Sequence, residues 1–274
     1  MKKKTSLLKR LVLAALAAVM AFSLVGCSAQ RVGSILPVSL VYRYVQGGCS
    51  DGQYIYVALN DGKKADSKSV IIKCNPSNMR VVATYKNLKF GHGNDLCFNT
   101  STNELIVVNS SPDGRLLNIY DASNMSLKEV VTLSKSVHGL TYDADQDCYY
   151  GAVSGATQFV KLDADFNIVE TYAMQPCDDT KQNLDLIGDY LCFLRYDDNL
   201  IEVYTKDGEF VKNVDVPLDA YEPEFVCHIG DTVYIGCNLL TYTGGCVYKM
   251  DISSIGMKTL AQYGIDAEDL EALD

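Results

Sequence analysis

The 274-residue chain has no tryptophan, three histidines, six prolines and a deficit of positive charge, 24 Lys and Arg against 34 Asp and Glu. That deficit excludes nucleic acid as a partner, because an acidic surface repels phosphates and gains nothing from counterion release. Motifs that carry chemistry are missing as well. There is no GxSxG, no HExxH, no phosphate loop, no glycine-rich dinucleotide fingerprint and no EF-hand spacing. No CxxC pair occurs, so zinc-ligand spacing is absent. Beyond the N-terminus no run of about 18 apolar residues appears, so nothing else reads as a membrane-spanning helix. What the chain does have is 48 % hydrophobic residues, enough for a sizeable core.

The N-terminus reads as an address. Lys2, Lys3, Lys4, Lys9 and Arg10 precede an apolar stretch from Leu11 to Val25, and small residues lead to Leu24-Val25-Gly26-Cys27. A basic start, a short apolar segment and a small-residue cleavage site describe a secretory signal over residues 1–26. Leu24 to Cys27 resembles the lipobox of bacterial lipoproteins. The resemblance implies cleavage before Cys27, lipidation of its thiol and a membrane partner held through that anchor, with the domain outside the cytoplasm. The signal removes five positive charges, leaving 19 basic and 34 acidic side chains, a net charge of −15. Anionic headgroups would repel such a domain, so the anchor alone is expected to hold it. Residues 27–36, short and mostly small or polar, are expected to form a tether.

A repeat occupies the rest. KCNPSNMRVVATY from Lys73, IYDASNMSLKEVVTL from Ile119, KLDADFNIVETYAM from Lys161, VYTKDGEFVKNVDV from Val203 and KMDISSIGMKTLAQY from Lys249 share one pattern. Each is an alternating strand, a polar turn and a second alternating strand. Aligning Asn75, Asp121, Asp163, Thr205 and Asp251 gives steps of 46, 42, 42 and 46 residues, the period of a four-stranded propeller blade. Short strands rich in Tyr, Val and Ile precede each unit, as at 54–59, 105–109, 148–153, 190–196 and 232–237. The expectation is an all-β chain: a β-propeller over residues 37–263 with five four-stranded blades, six being the alternative, and an acidic tail over 264–274. For closure, VSLVYRY (38–44) and MKTLAQY (257–263) compete for the outermost position of the last blade. The pattern resembles the broad superfamily of bacterial propellers with YVTN, NHL or senescence-marker-like repeats, although no Trp-Asp dipeptide is present. That resemblance implies fold more than activity.

Nine cysteines remain after Cys27, and most fall at apolar strand positions scattered through different blades. They read as mostly reduced core thiols, with several disulfides as the alternative for an exported chain. Cys237 and Cys246, across one hairpin, are the closest candidate pair.

Chemistry is expected where loops enter the innermost strands: VQGGC (45–49), GHGNDL (91–96), VHGL (137–140), KQNLDL (181–186) and YEPEF (221–225). His92 and His138 recur before glycine in neighbouring blades and are candidate general bases if the protein is an enzyme. Asn94, Asp95, Asn183, Asp185, Glu222 and Glu224 add amides and carboxylates for ligand binding. Arg115, Arg195 and Tyr196, from loops expected on the same face, are candidate anchors for a carboxylate or sugar. The structural alternative is that His-Gly is a blade-entry habit, that the arginines are surface ion-pair partners, and that His228 is a satisfied core residue. No resident cofactor is expected; the one candidate is a divalent cation at the mouth, to be sought among His92, His138, Asn94, Asn183 and Glu222. Two functions follow. One is a lipid-anchored module binding a small-molecule, glycan, cell-wall or protein ligand at the channel mouth. The other is a metal-assisted hydrolase, lactonase or lyase at the same place, as the senescence-marker-like resemblance implies.

Overall fold

The computed structural model describes residues 29–35, 42–62, 68–88, 90–155, 157–176, 181–196, 199–216, 218, 221–239 and 244–255. These form five four-stranded antiparallel sheets arranged as the blades of a β-propeller. Blade 1 is β2 (Tyr44–Ser50), β3 (Ile55–Asn60), β4 (Ser69–Cys74) and β5 (Val81–Tyr85), from the axis outward. Blade 2 is β6 (His92–Asn99), β7 (Glu104–Ser111), β8 (Leu116–Asp121) and β9 (Leu127–Thr132). Blade 3 is β10 (Val137–Asp143), β11 (Cys148–Val153), β12 (Gln158–Leu162) and β13 (Ile168–Ala173). Blade 4 is β14 (Lys181–Ile187), β15 (Tyr190–Arg195), β16 (Leu200–Thr205) and β17 (Phe210–Asp215). Blade 5 is β18 (Tyr221–Ile229), β19 (Thr232–Leu239) and β20 (Gly245–Asp251), completed by β1 (Gln30–Ile35) from the start of the chain. The innermost strands touch in the cyclic order β2, β6, β10, β14, β18 and back to β2, which closes the ring without a sixth blade.

Closure corrects the sequence reading in one respect. The clasp strand is Gln30–Ile35, a segment expected to be tether, and not 38–44: Tyr44 already begins β2. Ile35 pairs with Gly245 and Gln30 with Lys249, and Ile35 is buried between blades 5 and 1. A strand that buries Ile35 fully and Val32 only in part looks like a linker in sequence, because two apolar residues three positions apart show no period of two. The domain therefore starts at residue 30 or earlier. The signal peptide, Cys27, the segment 257–263 and the tail lie outside the described residues.

The repeat positions have a common cause. The side chains of Asn75, Asp121, Asp163 and Asp251 each accept a hydrogen bond from the backbone N–H two residues on, at 2.8–3.0 Å. This Asx turn reverses the chain between the third and outermost strands in the first three blades. Thr205 serves blade 4 with its hydroxyl, accepting from Glu209 N at 3.0 Å. The second strand of every blade is buried on both faces, because the neighbouring blades cover it from either side; β3, for example, is buried throughout. The outermost strands are mostly exposed, as in β9. Five apolar clusters result, one in each gap between adjacent blades. All eight described cysteines are free thiols buried in this core.

Candidate functional site

All five innermost strands start at one end of the axis, here called the upper end. Midway along, the channel is plugged. Asp95 is fully buried, and its carboxylate accepts from Leu96 N at 2.7 Å, from Leu140 N at 2.9 Å and from the Asn183 amide. Asn183 Oδ1 in turn accepts from Val226 N at 2.8 Å. Asn94 donates to the carbonyls of His138 at 2.8 Å and Gln182 at 2.9 Å. These three side chains therefore lace blades 2, 3, 4 and 5 together across the axis. Burial pushes the Asp95 pKa up, and its N–H donors pull it back toward the charged form. Glycine lets the strands approach: a Cβ on Gly139 would sit 2.9 Å from Leu184 N. The expectation that Asn94, Asp95 and Asn183 bind ligand is thus corrected, since their hydrogen-bonding capacity is spent on the fold.

Above the plug opens a cavity of about 490 Å³. His92, Tyr196, Glu222 and Glu224 line it, together with Tyr44, Gln46, Asn60, Gly62, Gln182 and Asn238. Asn238, at the end of β19, organises the wall. Its Oδ1 accepts from Val45 N at 2.8 Å, and its Nδ2 donates to Glu224 at 2.6 Å and Glu222 at 3.2 Å. Both carboxyls thus lean on one amide nitrogen, so their oxygens lie no farther apart than those two bonds combined. Gln182 Nε2 donates to the other Glu224 oxygen at 3.0 Å. Asn60, the equivalent residue of β3, has its Nδ2 3.0 Å from His92 Nδ1 and its Oδ1 accepting from Gly62 N at 2.9 Å. Donation from the amide makes His92 Nδ1 an acceptor and leaves the ring proton on Nε2.

Burial pushes the Glu224 pKa well above its ordinary 4.5, and the neighbouring Glu222 adds repulsion. A folded state that keeps this proton after the unfolded chain has released it loses stability as pH rises above that ordinary value, by at most about 1.4 kcal/mol per pH unit. Glu224→Gln cannot ionise. Its melting temperature relative to wild type is expected to climb between about pH 5 and about pH 8, and parallel melting curves at all pH values would rule out a neutral Glu224.

The remaining candidates sit elsewhere. His138 does not line the cavity; its Nε2 is 3.2 Å from Ser154 Oγ, and desolvation lowers its pKa. Asp185 is at the opposite end of the channel, 2.7 Å from His228 Nδ1, beside a second cavity of about 210 Å³. Strand polarity explains the misplacement, because Asp185 is five positions along an inward strand whose start alone reaches the upper end. Arg115 is exposed and pairs with Asp113 at 2.7 Å, drawing that carboxyl down to about 2. Arg195 meets Glu202 at 3.3 Å, which also holds the buried Lys181 at 3.1 Å. Both arginines therefore follow the ion-pair alternative. Of the residues considered for a cation, His92 and Glu222 line the cavity while His138, Asn94 and Asn183 do not, and among the described residues no group of three or more His, Cys, Asp or Glu is placed to hold a metal. Asn60 was overlooked as a wall residue, although a buried Asn stands at or near the end of the second strand in three blades, at 60, 109 and 238.

No family model matches the chain, and no curated protein is similar to it. Among solved structures, glutaminyl cyclase from Myxococcus xanthus superposes with a TM-score of 0.60 at 11 % identity, covering 81 % of this chain and 99 % of that one. The WD40 repeats of RRP9 give 0.48 at 15 % identity over 76 % of this chain and 62 % of that one. Streptogramin B lyase gives 0.46 at 15 % identity over 80 % and 72 %. At such identities the likeness is one of fold.

Proposed function

We propose that this protein is an exported, lipid-anchored propeller that binds a glycan fragment in its upper cavity. The observation that carries the reading is the cavity wall: two tyrosines, side-chain amides, an imidazole and two carboxyl groups face one space of about 490 Å³. Tyrosine faces suit sugar rings, and amides with carboxyls suit hydroxyl groups. Among the described residues no lysine or arginine lines the space, so an anionic ligand would find no cationic side chain there. A neutral or amine-bearing saccharide is the class that fits. The anchor would be Cys27, supported by the lipobox-like sequence before it.

The full chain, extracted from membranes in detergent, is to be screened on a saccharide array and titrated with whatever it retains. His92→Ala and Tyr196→Ala are each expected to weaken binding about tenfold or more. His138→Ala, outside the cavity, is expected to leave it unchanged. Retention of no saccharide, or equal affinity in all three variants, would move the site elsewhere.

One observation favours catalysis at the same place. Burial and the neighbouring Glu222 raise the Glu224 pKa well above its ordinary value, and a carboxyl raised in this way beside a second carboxyl suits a proton donor. A hydrolase or lyase reading then assigns Glu224 as proton donor, and recovery of the retained saccharide in cleaved form would distinguish it from simple binding.

A further inference from the structure

We propose that Cys237 and Cys246 form an intramolecular disulfide when the folding chain meets a disulfide oxidant. The two residues are direct partners in the antiparallel ladder of β19 and β20, and their side chains share the apolar cluster between blades 4 and 5. Directly opposed antiparallel residues have Cα atoms about 4.5–5.5 Å apart, inside the span of about 4.4–6.8 Å that a disulfide bridges. No backbone movement is needed to join them. Cys49, Cys97 and Cys227, on three innermost strands, lie in three different interblade clusters instead.

The pair is also chemically differentiated. Cys237 is raised by burial, while Cys246 is lowered, chiefly by the hydrogen bond from Cys237 within the hairpin. Cys246 is therefore the attacking thiolate. It displaces one thiolate from the oxidant to give a mixed disulfide. Cys237 loses its proton and attacks the Cys246 sulfur, releasing the second thiolate. Two protein thiols become one disulfide, and one molecule of oxidised glutathione becomes two of reduced. Both thiols are fully buried, and β1 lies against β20 with Ser34 opposite Cys246. Oxidation thus belongs to the stage before the clasp docks. The bond would fix the strand end that carries Asn238, next in sequence to Cys237 and the amide on which Glu222 and Glu224 lean. An oxidising compartment follows from the export proposed above; the chemistry itself is tested without it.

The reduced full chain is to be unfolded, refolded in a buffer of oxidised and reduced glutathione, alkylated and peptide-mapped. The expected product is a Cys237–Cys246 linked peptide lighter by two hydrogens, with the other core cysteines alkylated. The oxidised form should melt about 5 °C above the reduced one. Cys237→Ala and Cys246→Ala should each abolish the linkage and leave the partner alkylated. Alkylation of both residues in the refolded wild type, or linkage of either to a different cysteine, would overturn the proposal, whatever the fate of the glycan reading.

Discussion

Asp95→Asn is expected to destabilise the protein by about 3 kcal/mol or more, and to lower its melting temperature by about 10 °C. The polar groups around this carboxylate are donors: two backbone N–H groups at 2.7 and 2.9 Å and the Asn183 amide. An Asn NH₂ placed there turns at least one of these contacts into donor facing donor, in a site closed to water. Asp95→Ala removes the clash but leaves the same N–H groups buried without an acceptor, each costing about 1–3 kcal/mol. Both variants should lose stability, with the melting curve as readout. An Asp95→Asn protein that melts with wild type would show that the carboxylate does not join the blades.

Removal of Gln30–Ile35 should have a comparable effect and a different signature. Ile35 alone, fully buried between blades 5 and 1, accounts for roughly 2–5 kcal/mol by analogy with Ile truncations in other cores. The deletion also strips the partner from β20 and leaves a row of unpaired N–H and C=O groups along its edge. A lower melting temperature together with concentration-dependent oligomers on size exclusion is the expected result. Ile35→Ala separates the two causes: it should lower stability and remain monomeric, since its backbone still pairs. A deleted form that stays monomeric and melts with wild type would show that the clasp does not close the ring. A shortened chain begun at residue 37, where the sequence pattern alone places the domain, should behave like the deletion.

The repeat was legible because its determinants are local. An Asn, Asp or Thr that caps its own turn recurs at the same place in each blade, and the strands beside it carry the apolar pattern of a sheet covered on both faces. His92, Tyr196, Glu222 and Glu224 were legible for a related reason: they stand at or beside the mouth-facing ends of strands, and equivalent ends of equivalent blades meet at one mouth. Asp95 and Asn183 were misread, and no local signal separates them from Glu224. All are acids or amides early in an innermost strand. What differs is whether the neighbouring strand offers a backbone N–H or an open space, and that depends on how blades nearly 90 residues apart in sequence face one another.

By itself, then, the sequence determined the blade, its period and its number, since turns and apolar periodicity are properties of a few consecutive residues. Only the tertiary structure decided which strand closes the ring, which polar residues became plug and which became cavity wall, and that Asp185 faces the far end of the channel with His228. Those outcomes depend on ring closure. It brings five similar strand ends around one axis, pairing Asp95 across blade boundaries while Glu224 is left at the cavity wall.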